Sequence, residues 1–143
     1  MVTGRHEIGL VAVKEELGTS FTARKSDAGN LAEVDVLLEH IRIQFGRLDI
    51  LFLIAALSSP ARFDTVTETQ FDAIVGLYFK STFFTIQKSL SLLSRNSSVI
   101  ITTSISNQTG SLLFSVYAAS KAALRSFVSK VSWRSADRTR QTC

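Results

Sequence analysis

Apolar and polar residues follow two different periods along the chain, and each change of period marks the expected boundary of a helix or a strand. Two segments rich in helix formers, Glu7–Leu17 and Leu31–Phe45, are each followed by a glycine, Gly18 and Gly46, which is a typical C-terminal stop. Asn30 precedes the second segment, where its side chain can cap the first turn. We therefore predict a helix over each segment.

Continuous apolar runs predict strands. Residues from Ile50 to Leu57 form an eight-residue run that is too short to span a bilayer and is typical of a strand buried on both faces. Val99 to Thr103 is a β-branched run that reads as another buried strand, and Ser20 to Arg24 reads as a shorter, weaker one.

A long helix is predicted from about Thr67 to Leu93, because its apolar residues recur three or four positions apart. We expect this apolar stripe to form core, and it consists of Phe71, Ile74, Val75, Tyr78, Thr82, Phe83, Ile86, Leu90 and Leu93. Leu77 and Phe84 lie off the stripe. They either face a partner or are scattered surface apolar residues, which need no explanation.

A last helix, from Ser115 to Trp133, carries the candidate chemistry. Tyr117 and Lys121 are four residues apart and therefore share a helix face. A cation beside a phenol favours the phenolate, and the hydroxyl of Ser104 can hold a carbonyl or alcohol oxygen against that phenol. Ser104 follows a predicted strand, and ligands of open α/β sheets bind outside the carboxyl ends of strands. The alternative is a solvated helix, where a tyrosine followed four positions later by a lysine is common.

The chain resembles the short-chain dehydrogenase/reductase family of the classical type. The resemblance rests on L-D-I-L-F-L-I-A-A at residues 48–56, on the helix carrying Phe71, Lys80 and Gln87, and on Ser104, Tyr117 and Lys121. It implies an α/β fold, a partial Rossmann-type doubly wound parallel sheet with three α/β/α layers. It also implies hydride transfer between a nicotinamide cofactor and a carbonyl or alcohol substrate. Tyr117 would be the acid/base, Lys121 would favour its phenolate and bind the cofactor ribose, and Ser104 would orient the substrate.

The same resemblance implies a set of cofactor contacts. Ile8 and Leu10 stand where a phosphate-cradling turn needs glycines, so Thr3-Gly4-Arg5 fits better at the end of the family's second strand. Arg5 would then contact a 2′-phosphate, which favours NADP(H) over NAD(H). The expected cofactor-binding residues are Arg5, Asp27, Ala55, Tyr117 and Lys121, and no metal site is expected. Two alternatives stay open: Arg5 is merely solvated near a terminus, and Asp27 is a turn residue with a local backbone hydrogen bond.

This alignment implies a fold truncated at both ends. The family's first strand, glycine-rich turn and first helix are missing, and the first strand lies at the centre of the sheet rather than at an edge. The resemblance stops after Trp133, which suggests a partial domain at 1–133 followed by a disordered basic tail at 134–143. A frameshift or mis-splicing would explain that change.

Three residues depart from the family pattern. Leu53 and Ile54 replace paired asparagines, and Tyr78 stands where a helix asparagine supports a proton-relay water. We expect these positions to lose hydrogen bonds, each worth about 1–3 kcal/mol where the partner is buried.

Composition and charge narrow the expected binding partners and the expected cellular location. The formal net charge of the 143 residues is +4, and three arginines with one aspartate in residues 134–143 contribute half of it. Without an aromatic platform or a recognised module, nucleic-acid binding is not expected. The single cysteine, Cys143, and the lack of a signal-peptide pattern or membrane span favour the cytoplasm.

Two functional hypotheses follow. The first is an oxidoreductase that acts on a small carbonyl or alcohol, either alone or as a homo-oligomer. The second is a non-enzymatic fragment that associates with a full-length relative through residues 71–93 and 115–133, or an inactive truncated product.

Overall fold

The computed structural model describes residues 1–18, 21–108, 112–131 and 139–141. Strands and helices alternate along it. The strands are β1 (Val2–Gly4), β2 (Ala23–Lys25), β3 (Leu48–Leu53), β4 (Leu93–Ile101) and β5 (Thr139–Gln141). The helices are α1 (Glu7–Leu17), α2 (Leu31–Phe45), α3 (Glu68–Val75), α4 (Ser81–Ser89) and α5 (Ser115–Val131). A π-helical segment, Gly76–Lys80, joins α3 to α4, and short 3₁₀ turns lie at Phe63–Thr65 and Ile105–Asn107.

All strand pairs are parallel, but they form two separate sheets. β1 pairs with β2, and β3, β4 and β5 form the second sheet in that order. Within the described residues no strand pairs with β1 on its other side or with the outer edge of β3. The two sheets are therefore the halves of a doubly wound sheet without its central strand, as the sequence predicts.

The first two helices have the predicted bounds because local signals set them. The Asn30 side chain accepts a hydrogen bond from the backbone N–H of Ala32 at 3.1 Å, which caps the first turn of α2. Gly18 and Gly46 end α1 and α2 with positive φ angles of 77° and 72°, which glycine adopts without strain.

The predicted third strand is shifted and less buried than expected. It covers Leu48–Leu53 instead of Ile50 to Leu57, and Ile50 and Phe52 are 64% and 55% exposed. These two side chains point to the same face of the strand, and that face borders an open cleft. The prediction of burial on both faces was therefore wrong for these residues.

The predicted long helix is also wrong at its end. It is interrupted by the π-helical segment and stops at Ser89, and Leu93 is the first residue of β4. A turn in which the Leu92 N–H donates to the Ser89 carbonyl at 2.9 Å separates the two elements. Most of the predicted stripe is buried or half-buried, whereas Phe71 and Leu90 are 48% and 54% exposed.

The predicted disordered tail differs from the structure at three residues. Thr139–Gln141 forms β5 against β4, because the free edge of β4 offers backbone hydrogen bonds to a following segment. Residues 132–138, 142 and 143 lie outside the described ranges, so a boundary at 133 stays a prediction.

The main core cluster joins α2 to the second sheet. Val34, Leu38 and Ile41 of α2 pack with Leu92, with Leu37 and Leu48 partly buried beside them. A second buried patch lies on α5, where Leu124 is 1% exposed. Helix α5 itself packs against α3, the π-helical segment and the 3₁₀ turn Ile105–Asn107.

Candidate active site

Lys121 is a buried cation on α5. The residue is 4% exposed, and its Nζ donates a hydrogen bond to the carbonyl oxygen of Thr102, just beyond β4, at 2.6 Å. Among the described residues no carboxylate pairs with it. Burial lowers the pKa of Lys121 below its ordinary value of 10.5, because the charged form is poorly solvated there.

Two tyrosine rings surround this ammonium group. Lys121 Nζ lies 4.5 Å from the ring centroid of Tyr78 and 5.7 Å from that of Tyr117. The two rings meet edge to face with their centroids 5.1 Å apart. A cation within about 6 Å of a ring face is attracted to it, so the rings help to hold the buried charge.

Tyr78 is buried, as its place in the predicted apolar stripe implies, but the sequence did not indicate a partner for its hydroxyl. Its buried hydroxyl accepts a hydrogen bond from the Leu57 N–H at 2.8 Å and donates one to the Leu57 carbonyl at 2.6 Å. It therefore holds the loop that follows β3. A buried tyrosine hydroxyl is expected to find a partner, but nothing in the sequence indicates which one.

Ser104 lies between β4 and α5. Its Oγ accepts a hydrogen bond from the Ser106 N–H at 3.2 Å and donates one to the Ser106 Oγ at 3.1 Å, which caps the 3₁₀ turn Ile105–Asn107. That turn packs against α5. The Tyr117 hydroxyl makes no hydrogen bond to another described residue, and its ring also contacts Phe114, with the centroids 6.0 Å apart. The structure thus groups Tyr117 with Lys121 and places Ser104 at the adjacent turn.

A large cleft separates the two sheets. Its volume is about 940 Å³, and Arg5, Asp27, Ala55 and Lys121 are among the residues that line it. Asp27 Oδ1 accepts a hydrogen bond from the Gly29 N–H at 2.8 Å, so the local turn bond considered as the alternative for Asp27 is present. Ser104 and Tyr117 are not among the lining residues. The cleft therefore brings together four of the five predicted cofactor-binding residues.

No group of three or more His, Cys, Asp or Glu residues in the described ranges could hold a metal ion. Nor do they contain a helix long and apolar enough to cross a membrane.

Comparison with known proteins gives consistent matches. A family model described as short chain dehydrogenase matches residues 1–138. Oxidoreductase asL5 of Sarocladium schorii is 36% identical over 126 residues, which are 87% of this chain and 51% of that protein. Short chain dehydrogenase/reductase nsrJ of Aspergillus novofumigatus is 31% identical over 127 residues, 88% of this chain and 48% of that protein. The chain thus spans about half the length of these curated relatives.

Solved structures show the same fold. A short-chain dehydrogenase/reductase from Brucella melitensis superposes with a TM-score of 0.91 at 22% identity, over 96% of this chain and 59% of that one. A short-chain dehydrogenase from Streptomyces avermitilis gives a TM-score of 0.90 at 21% identity, over 97% of this chain and 52% of that one.

Proposed function

The chain belongs to the short-chain dehydrogenase family, and from that membership we propose that it carries the proton-transfer residues of a nicotinamide-dependent oxidoreductase. Its substrate class would be a small carbonyl compound or alcohol. One observation carries the proposal: the buried ammonium of Lys121 lies 5.7 Å from the ring of Tyr117 without a carboxylate partner in the described ranges.

The electrostatics of Lys121 support an acid/base role for Tyr117. A buried cation that is not neutralised by a carboxylate stabilises a negative charge formed beside it. The phenolate of Tyr117 would be such a charge. The hydrogen bond from Lys121 to the Thr102 carbonyl fixes the ammonium group in place, so it need not be reoriented when the phenol loses its proton.

The proposed steps at the protein are proton transfers. In carbonyl reduction the Tyr117 hydroxyl donates its proton to the substrate oxygen, and in alcohol oxidation the phenolate accepts it. The Ser104 hydroxyl would turn from Ser106 and donate a hydrogen bond to the same substrate oxygen. When bound, a reduced nicotinamide supplies the hydride in the reductive direction.

The described residues offer groups for the 2′-phosphate and the nicotinamide side of such a cofactor, but not for its pyrophosphate. Arg5 lines the cleft and would bind a 2′-phosphate, which is why we propose NADP(H) over NAD(H), and Lys121 lines the same cleft. A pyrophosphate needs close backbone approach at a glycine turn or a helix N-terminus. Within the described residues the only glycine that lines this cleft is Gly4, and it belongs to β1.

Cofactor titration tests the proposal. Purified protein is titrated with NADPH and with NADH to millimolar concentration while nicotinamide fluorescence is followed. We expect NADPH to bind more tightly, and we expect Arg5→Gln to remove the difference. Arg62→Gln is the matched control, because Arg62 pairs with Asp64 outside the cleft. Absence of binding by either cofactor at millimolar concentration would contradict the proposal.

Turnover gives a second test. With a panel of small carbonyl compounds, Tyr117→Phe should lower kcat by roughly 100-fold to 10,000-fold, the usual contribution of a general acid. Equal rates for the variant and the parent protein would exclude Tyr117 as the acid.

A second function is favoured by aromatic residues on α4 and α5. Phe83 contacts Phe84 and Phe127 at centroid distances of 5.2 Å and 5.1 Å, and all three rings are only half-buried. We propose that this face associates with a full-length relative or with a second copy of the chain. Co-expression followed by size exclusion should show a complex that Phe84→Glu disrupts and that Ile43→Glu on α2 leaves intact. A chain that elutes alone or aggregates would count against association.

A cytoplasmic location also stays a prediction.

A further inference from the structure

Tyr78 lies between the loop that follows β3 and the ammonium group of Lys121. Its hydroxyl bonds the backbone of Leu57, and its ring centroid is 4.5 Å from Lys121 Nζ. We propose that Tyr78 is a positioning residue whose ring face holds the charged Lys121 beside Tyr117. The inference deepens the proposed function and rests on it for the acid/base role of Tyr117.

The Tyr78 ring supplies compensation that the buried ammonium otherwise lacks. Within the described ranges Lys121 donates one hydrogen bond, to the Thr102 carbonyl, and pairs with no carboxylate. An ammonium group has three N–H donors, so much of this buried charge depends on other neighbours. The face of an aromatic ring attracts a cation, and the attraction is larger where both are desolvated. At 4.5 Å the Tyr78 centroid is closer to Nζ than the Tyr117 centroid at 5.7 Å, so we expect the stronger attraction from Tyr78.

The π-helical segment Gly76–Lys80 places this ring against α5. The backbone N–H of Ser81 donates to the carbonyl of Gly76, five residues earlier, where an α-helix would use a carbonyl four residues earlier. Tyr78 is the central residue of the segment and is 4% exposed, and the segment packs against α5. Single π-helical turns occur frequently at functional sites, and here the irregular turn carries the residue that contacts the ammonium.

Contacts at both ends hold the Tyr78 side chain in place. Its hydroxyl accepts a hydrogen bond from the Leu57 N–H at 2.8 Å and donates one to the Leu57 carbonyl at 2.6 Å, and its ring meets that of Tyr117 at an interplanar angle of 74°. The ring therefore contacts both Tyr117 and Lys121 while its far end is fixed to the backbone. Groups that are fixed in advance need no reorientation when charge develops on the phenol.

NMR of lysine isotope-labelled at the ε-carbon measures the charge of Lys121 directly, and Lys121→Met assigns its signal. Burial lowers the pKa of Lys121, and removal of the ring by Tyr78→Leu should lower that pKa further, by about half a unit or more. Tyr78→Phe keeps the ring face and should restore the parent titration. Phe114→Leu is the matched control: the Phe114 ring contacts Tyr117 but is not one of the two rings near the ammonium, so the titration of Lys121 should not change.

Fluorinated rings separate the attraction for the cation from packing. Fluorine withdraws electrons from the ring face and changes the ring size little, so the attraction for a cation falls with each fluorine added. Tyr78→Phe is the reference, and phenylalanine analogues with one, two and three fluorines replace Tyr78 in turn. We expect the pKa of Lys121 to fall stepwise along this series, which also decides the question if Tyr78→Leu does not fold. The same titration of Lys121 in every member would overturn the proposal.

The effect on Tyr117 is measured by its phenolate absorbance in the near ultraviolet. Tyr78 and Tyr117 are the two tyrosines of the chain, so in every variant of Tyr78 this absorbance reports Tyr117 alone. We expect it to develop at higher pH as fluorines are added, because a Lys121 that loses its charge more readily stabilises the phenolate less. A Lys121 titration that follows the ring in a protein that binds no nicotinamide would support the placement of the ammonium and refute only the proposed function. An unchanged titration in a protein that binds NADPH would overturn only this inference.

Discussion

At the residue scale, the hydroxyl of Tyr78 supports the loop that follows β3. It makes two hydrogen bonds to the backbone of Leu57 and is buried. We predict that Tyr78→Phe lowers the free energy of unfolding by about 1–3 kcal/mol, because a backbone donor and acceptor lose their partner while the ring stays in place. Urea denaturation measures this change.

Tyr117→Phe is the matched control for that change. Its hydroxyl has no hydrogen bond to a described residue, although its ring packs against Tyr78 and Phe114. We expect its free energy of unfolding to stay within about 0.5 kcal/mol of the parent value. Equal losses in the two variants would show that the Leu57 contacts are not the cause.

The buried ammonium of Lys121 should make stability depend on pH. Burial lowers its pKa in the folded chain below 10.5, so between the two pKa values the unfolded state binds more protons. The free energy of unfolding therefore rises with pH across that window, and the cost of the buried charge is fully present below it.

The control for this pH dependence is Lys121→Met, which has no proton to release. The stability of the parent protein relative to this variant should increase as the pH is raised toward 10.5, as measured by urea denaturation at each pH. A difference that stays constant over the range would contradict the prediction.

Sequence spacing predicted part of this site. Tyr117 and Lys121 share a face because the helical period fixes their relation, and this required no tertiary information. The contact of Tyr78 with Lys121 joins the π-helical segment to α5, and no local pattern encodes such a pairing. The roles of Ser104, Arg5, Asp27 and Ala55 stay predictions.

At the scale of elements, replacing a glycine with alanine should have opposite effects on stability in α1 and at the end of α2. Gly46 ends α2 with a φ of 72°, whereas Gly9 lies inside α1, and an added Cβ meets no atom within 4 Å at either position. Gly46→Ala should therefore lower the free energy of unfolding by about 1–2 kcal/mol, because alanine is strained in the left-handed backbone conformation. Gly9→Ala should stabilise the protein by about 0.5–1 kcal/mol. Thermal denaturation of both variants checks the signs, and a shift in the same direction would contradict this account.

The accuracy of the predicted elements follows the kind of signal that defines them. The ends of α1 and α2 are set by glycine stops, and α2 also begins at a capping asparagine, so the bounds predicted from these local signals were confirmed. The bounds of β3 and β4 depend on which residues pair, Leu51 with Val99 and Leu53 with Ile101, and pairing between distant residues is not visible in either segment alone. The same reason explains why Leu93 was placed in a helix.

At the scale of the whole molecule, the edge of β3 that no described strand pairs with should promote aggregation. An exposed apolar edge strand is a template for pairing between chains. We predict that Phe52→Glu lowers the rate of aggregation at high protein concentration, as followed by light scattering, because the added charge opposes edge-to-edge pairing. Ile43→Glu introduces the same charge at an exposed site on α2, 71% exposed in the parent protein, and should have a smaller effect. Equal effects would point to net charge instead of the strand edge.

The division of the sheet also implies that the molecule opens in stages. The β1–α1–β2 unit is a two-stranded sheet with a helix that buries none of its residues, and a two-stranded sheet is marginally stable in water. The connection from β2 to α2 is held by the hydrogen bond from the Ser81 hydroxyl to the Ala28 carbonyl, 2.5 Å long. Amide hydrogens of Val2–Gly4 and Ala23–Lys25 should therefore exchange with solvent deuterium faster than those of Val99–Ile101. A protease added under native conditions should first cut near this unit and leave the half of the chain that carries Tyr117 and Lys121 folded.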